Sequence, residues 1–320
     1  WDSVTALEIA NAIITSFTVT YVYLIARLSA SEKAARITSI MYSIFPFPLF
    51  MNSLLSNQQL PLLLILIAIY KYLKLESYNI KGLLLIGILL GISNILRSET
   101  IVIIAAILLY TILFIKKIGF KNAAKSFLII YISYSLIFNI SSFAVKKMDL
   151  SQNGLKNMNP YWKFVLGFNY ETNGKYSNED AYLYSYDKEA AKTEAIARIK
   201  QFNKIPRLFI RKAKIQLFSS DISWPLGHIE ETHSKLYKSL TLINQIFIIS
   251  FVLLALLSIV NIIKFDKNYS LIFMILFVYV GVYLLIEIQP RYAYSLQVFE
   301  AILAAYSIDM IINKIKQIKS

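Results

Sequence analysis

Eight residues concentrate the chain's most telling chemistry: Glu287-Ile288-Gln289-Pro290-Arg291-Tyr292-Ala293-Tyr294. They lie between two strongly apolar runs, Leu271–Ile286 and Leu296–Ile312. Ionisable groups at the edge of hydrocarbon are costly, about 2.5–3.5 kcal/mol each at mid-depth and less near the surface, so they usually face a cavity or a partner. Arg291 with Tyr292 is the best anion site in the sequence. A planar guanidinium can hold a phosphate through two charge-assisted hydrogen bonds. Glu287, four residues earlier, and Gln289 can orient it, although Pro290 interrupts the local helix. The competing reading is an interfacial anchor, because Arg and Tyr snorkel at membrane borders for structural reasons alone.

Arg97 and Glu99 form a second pair of this kind, between the apolar runs 82–96 and 100–115. Arg97 can add a second positive charge to a phosphate. Alternatively, Arg97 suits a helix end and Glu99 a helix start. Glu300 and Glu8 fall inside apolar blocks, and Glu300 needs a partner, either Arg291 or a backbone group. Asp309 lies near the end of its block, where water can reach it. His228 and His233 flank Glu230 and Glu231 without the His-Glu-x-x-His spacing of a zinc site, so no metal is assigned. The sequence has no Gly-rich phosphate loop, which argues against ATP-driven chemistry, and no cofactor is expected. With no cysteine there is no disulfide framework, thiolate metal site or Cys nucleophile.

These side chains need a scaffold, and composition defines its kind. The 320 residues are 57% hydrophobic and only 16% charged, against about 25% charged in a soluble domain. The apolar residues come in nine blocks: 7–28, 37–50, 60–73, 82–96, 100–115, 127–145, 240–263, 271–286 and 292–312. That predicts an all-α, polytopic transmembrane helical bundle of about nine spans with one extracytoplasmic helical subdomain. The expected division is residues 1–145 for six spans, 146–239 for the subdomain and 240–320 for three spans with a basic tail. The net charge of +14 fits positive cytoplasmic loops and anionic lipid, and no nucleic-acid-binding pattern accompanies it.

Lysines and arginines set the orientation. Arg27/Lys33/Arg36, Lys71/Lys74/Lys81, Lys116/Lys117/Lys121/Lys125, Lys264/Lys267 and the tail (Lys314, Lys316, Lys319) fall on one side. The opposite short loops hold only Arg97 and Arg291, so that side is the outer one. In the outer segment, residues 187–203 and 206–219 read as helices, with Pro206 opening the second. Basic and apolar residues interleave in the second, which suits a helix lying on a membrane surface. Tyr161, Trp162, Phe168 and Tyr170 are either sugar-stacking aromatics or belt residues.

Several stretches together resemble the GT-C superfamily of integral-membrane glycosyltransferases, and within it the bacterial protein O-mannosyltransferase and aminoarabinose-transferase-like group. They are Ser31-Glu32-Lys33-Ala34-Ala35-Arg36-Ile37 leading to Ile44-Phe45-Pro46, then Gly87-Ile88-Leu89-Leu90-Gly91 through Arg97-Ser98-Glu99. Glu287-Ile288-Gln289-Pro290-Arg291-Tyr292, like the group's late Glu-x-x-x-Arg-Tyr motif, is the most specific. Ser98 replaces a proline of the pattern, and the stretch 53–58 lacks its acid. The resemblance implies a sugar transferred, usually with inversion, from a polyprenyl-phosphate-linked donor to an extracytoplasmic acceptor: a cell-envelope glycan, lipid or protein. It also implies a multi-pass protein of the bacterial plasma membrane. Arg291, Tyr292 and Arg97 would bind the donor phosphate, with Glu287, Gln289 and Glu99 positioning them. The group's catalytic base lies in a first outer loop. The sequence, opening on Trp1-Asp2-Ser3, reads as N-terminally incomplete, and Asp2 is too close to the next span to replace that base. A transporter or flippase for a lipid-linked sugar is the alternative, but its halves should be related by symmetry, and none is visible.

Overall fold

The computed structural model describes residues 3–75, 78–260 and 267–319. Asp2, Lys264 and residues 261–263 of the seventh apolar block lie outside the described residues, as do the side chains of Lys117, Lys267 and Lys319. Every regular element among the described residues is helical. The first part of the chain forms α1 (Ser3–Ala26), α2 (Glu32–Ser43), α3 (Pro46–Phe50), α4 (Gln59–Leu73), α5 (Ile80–Leu96), α6 (Thr100–Leu113), α7 (Ile115–Ile118) and α8 (Phe120–Lys147). Next come α9 (Trp162–Gly167), α10 (Asn178–Tyr184), α11 (Lys188–Ile199), α12 (Ile205–Phe218) and α13 (Ser223–Thr232). Three long helices follow, α14 (Ser234–Val260), α15 (Lys267–Leu285) and α16 (Ala293–Lys319).

Each of the nine apolar blocks becomes a helix or a bent pair. Five helices (α1, α8, α14, α15, α16) are long and apolar enough to cross a membrane. The second block breaks into α2 and α3, which meet at 52°. Pro46 causes the break: it occupies the start of α3, where its missing N–H is not needed, and cannot continue α2. Helices α4, α5 and α6 are apolar but shorter, at 15, 17 and 14 residues. At 1.5 Å per residue these reach roughly 21–26 Å, less than the ~30 Å of hydrocarbon. Ser31 caps α2 by accepting from the Ala34 N–H, with Glu32 in the first turn. Helix α5 packs on α4 and α8. A Cβ on Gly87 or Gly91 would press within 2.6 Å of the Ile130 carbonyl or 2.8 Å of Ile137, so the glycines set that close approach.

Between α8 and α14, Val165, Ala191 and Ala195 form a small core flanked by Tyr161, Trp162, Phe164 and Tyr184. Tyr161 and Trp162 of the aromatic segment thus pack against this core. Helix α12 docks on α14, α15 and α16 through Leu208, Lys212 and Gln216, spaced four apart on its buried face. Arg207, Ile210, Arg211 and Lys214 face away from that seam. One face of this helix is thus seated on other helices, while Arg207, Arg211, Lys214 and Ile210 remain exposed. Contacts between Ala26, Ala35 and Ala305, and the Asn268 amide bond to the Leu28 carbonyl at 3.1 Å, bring the basic 27–36 loop against the start of α15 and the later part of α16. The 97–99 and 286–292 turns meet each other.

Candidate functional site

Arg97 ends α5, and its backbone leaves the helix in an extended conformation. The guanidinium pairs with Glu99 and donates to the Asn57 side chain at 3.2 Å. Asn57 in turn donates to the Leu96 carbonyl at 3.0 Å, so the uncharged patch after α3 braces this corner. Glu99 is buried and also accepts from the hydroxyls of Tyr279 (2.7 Å), Ser295 (2.8 Å) and Tyr283 (3.4 Å). The helix-end reading of the pair holds: Arg97 closes α5 and Glu99 opens α6, and the two side chains pair across the turn. Burial works against the Arg97 charge, but Glu99 and the neighbouring tyrosines outweigh it, and the guanidinium is held above its usual range.

After α15 the chain turns sharply, and Pro290–Tyr292 form a single 3-10 turn before α16. Arg291 lies 5.6 Å from the Trp224 ring and 5.9 Å from the Tyr292 ring. Arg97 lies 5.5 Å from that same Tyr292 ring. Two guanidiniums, 194 positions apart in the sequence, are thus gathered around one phenol, within cation–π range. Both border a cavity of about 1010 Å³ whose wall also carries Lys156, Lys163, Glu287 and Trp224.

Glu287 does not orient Arg291 as its spacing suggests. The break at Pro290 destroys the helical register, and the carboxylate, 1% exposed, instead binds Lys163 and the Gln289 amide. The backbone on either side is zipped to the 163–174 loop: Glu287 N–H donates to the Lys163 carbonyl (2.9 Å) and Ile288 N–H to that of Gly174 (2.8 Å). Gly174 has φ +78°, a turn that suits glycine. Lys212, fully buried on α12, donates to the carbonyls of Gly167, Leu284 and Ile286 beneath this loop. Burial pushes its amine down to about 7, with the Glu287 charge pulling the other way. Three acceptors take all three hydrogens of an ammonium, so the arrangement describes the protonated form.

Sequence reasoning brought Arg97, Glu99, Glu287, Gln289, Arg291 and Tyr292 to this corner, and the fold assembles all six there. It missed Asn57, Lys163, Trp224 and the Tyr279/Tyr283/Ser295 hydroxyls. Nothing in a single sequence marks a lysine between aromatics, or a hydroxyl inside an apolar helix, as a long-range partner. Glu300 is different: it is fully buried on α16, and neither Arg291 nor a backbone group reaches its carboxyl oxygens. Among the described residues, the cavity's two carboxylates are both occupied, Glu99 by a cation and three hydroxyls, Glu287 by a lysine and an amide. The cavity wall also carries four cationic side chains, Arg97, Lys156, Lys163 and Arg291.

Residues 2–142 match the family model described as dolichyl-phosphate-mannose-protein mannosyltransferase. The match supports the likeness to GT-C glycosyltransferases: membrane enzymes that draw sugar from a polyprenyl-phosphate carrier. It does not separate subgroups within them. Arg97 and Glu99 lie inside the matched stretch, whereas Lys163, Trp224, Glu287 and Arg291 lie beyond it. No curated protein and no solved structure matches the chain.

Proposed function

We propose that the protein transfers a sugar, with inversion, from a polyprenyl-phosphate donor to an acceptor on the outer face of a bacterial plasma membrane. The acceptor class is a cell-envelope glycan, lipid or protein. In this reading residues 1–145 and 240–320 form the membrane bundle and residues 146–239 the outer subdomain. Arg291 and Arg97 hold the donor phosphate, Tyr292 spaces the two guanidiniums, and Glu99, Glu287 and Gln289 fix the surrounding turns. As the sugar–phosphate bond breaks, negative charge grows on the leaving phosphate. Preorganised cations aimed at that charge favour the transition state over the bound donor.

The single observation that carries this reading is the meeting of Arg97 and Arg291 around the Tyr292 ring at the wall of a large cavity. A donor headgroup fits such a volume, and the bundle end gives its polyprenyl tail access to lipid. The test is transfer from labelled polyprenyl-phosphate hexoses and pentoses by membranes carrying the full-length protein. Arg291→Ala is expected to lower transfer at least a hundredfold while the protein still accumulates in membranes. Wild-type turnover in that variant would remove Arg291 from the site.

A further inference from the structure

Lys212 is not part of the cavity wall, yet its environment is unusual. A fully buried ammonium donates to Gly167 O at 2.9 Å and to Leu284 O and Ile286 O at 2.7 Å each. The last carbonyls of a helix have no partner further along it. Leu284 lies in the last turn of α15 and Ile286 just past its end, while Gly167 closes α9. A cation is favoured at helix C-termini. One side chain therefore ties two helix ends together, immediately before Glu287. The seat is tight on every side. A Cβ on Gly167 would come within 2.6 Å of the Ile286 carbonyl carbon, and one on Gly174 within 2.8 Å of the Lys212 methylenes.

We propose that Lys212 is a positioning residue for the donor-phosphate site, fixing the 286–289 turn against the 163–174 loop and so setting where Arg291 stands. The inference rests on the reading of Arg291 as a phosphate grip. The mechanical path is short. Lys212 holds Ile286, the Glu287 and Ile288 amides are pinned to Lys163 and Gly174, and the turn at Pro290 delivers Arg291 to Trp224 and Tyr292. Without the ammonium, three carbonyls lose their donor and the turn is held only by the zipper beside it.

Transfer kinetics of the full chain with a labelled polyprenyl-phosphate hexose test this. Lys212→Met keeps the stem and removes the donors. The expected result is a fall in kcat of at least tenfold, with donor KM changing less than threefold, because the bound diester already carries one negative charge and the further charge that Arg291 must meet develops as transfer proceeds. In an Arg291→Lys background the same substitution is expected to cost less than twofold, since the geometry it protects is already lost. An unchanged kcat, or an equal loss in both backgrounds, overturns the positioning role. Lys212→Gln, which still donates two hydrogens, is expected to give an intermediate kcat. It takes over the comparison if Lys212→Met does not accumulate, with the same two outcomes deciding it. Arg291→Ala, assayed alongside, judges the underlying reading separately, since full activity there rejects the phosphate site whatever Lys212 does.

Discussion

Glu99 accepts from Tyr279, Ser295 and Tyr283 and pairs with Arg97, so one carboxylate joins the α5–α6 corner to α15 and α16. A hydrogen bond to a charged group contributes about 1.5–3 kcal/mol. Tyr279→Phe should therefore destabilise the protein by about that amount, measured by denaturation in detergent. Glu99→Gln should act on function as well. It leaves the half-buried Arg97 without its counter-charge and frees it to swing, and donor KM should rise about tenfold, as one lost charge-assisted contact predicts. An unchanged KM would mean that Arg97 does not touch the donor. At this scale the sequence was a partial guide. Charged residues beside apolar runs stood out because such borders disfavour charge, so Arg97, Glu99, Glu287 and Arg291 were visible. Lys163 and Trp224 were not, because a polar segment makes a lysine ordinary. The pairing of Glu287 with Lys163 and not Arg291 followed from the proline-broken register, which spacing alone could not resolve.

Among the elements, the long helices were legible from apolar block length, α11 from its composition and α12 from Pro206 at its start. Helices α9, α10 and α13 were not, since six to ten residues carry too little periodic signal. Between α8 and α14 an ion pair accompanies the small core. Asp180 is buried and accepts from Arg198 at 2.7 and 2.8 Å and from Asn169 at 2.7 Å. Burial alone would raise its carboxyl, but these bonds outweigh it and hold the group below the usual carboxylate range. A folded-state value below the unfolded one, about 4, gives stability that is present above that pH and lost as pH falls through the folded value. The amides of α10 and α11 should therefore lose hydrogen-exchange protection below about pH 4. Asp180→Asn should flatten that dependence and lower protection at neutral pH. A wild-type subdomain equally protected at pH 6 and pH 3 would contradict the linkage.

For the molecule as a whole, charge and geometry divide the two ends in the same way. The basic 27–36 loop lies where α1, α2 and α16 meet, and the two arginine-bearing turns gather at the cavity. The chain has no cysteine, so single cysteines report sidedness cleanly. Lys33→Cys should react with an impermeant thiol reagent only after the membrane is opened, and Tyr186→Cys, at a fully exposed position, in intact cells. The reverse pattern would invert the orientation. The central claim is that two guanidiniums, brought from distant parts of the chain, close on the phosphate of a lipid carrier. A cryo-EM map of the protein with polyprenyl phosphate tests it most directly. The account predicts the phosphate between Arg97 and Arg291, with N–O distances of about 2.7–2.9 Å to each and the tail leaving toward lipid. A phosphate bound elsewhere, with both arginines still resting on Tyr292 and Trp224, would contradict it.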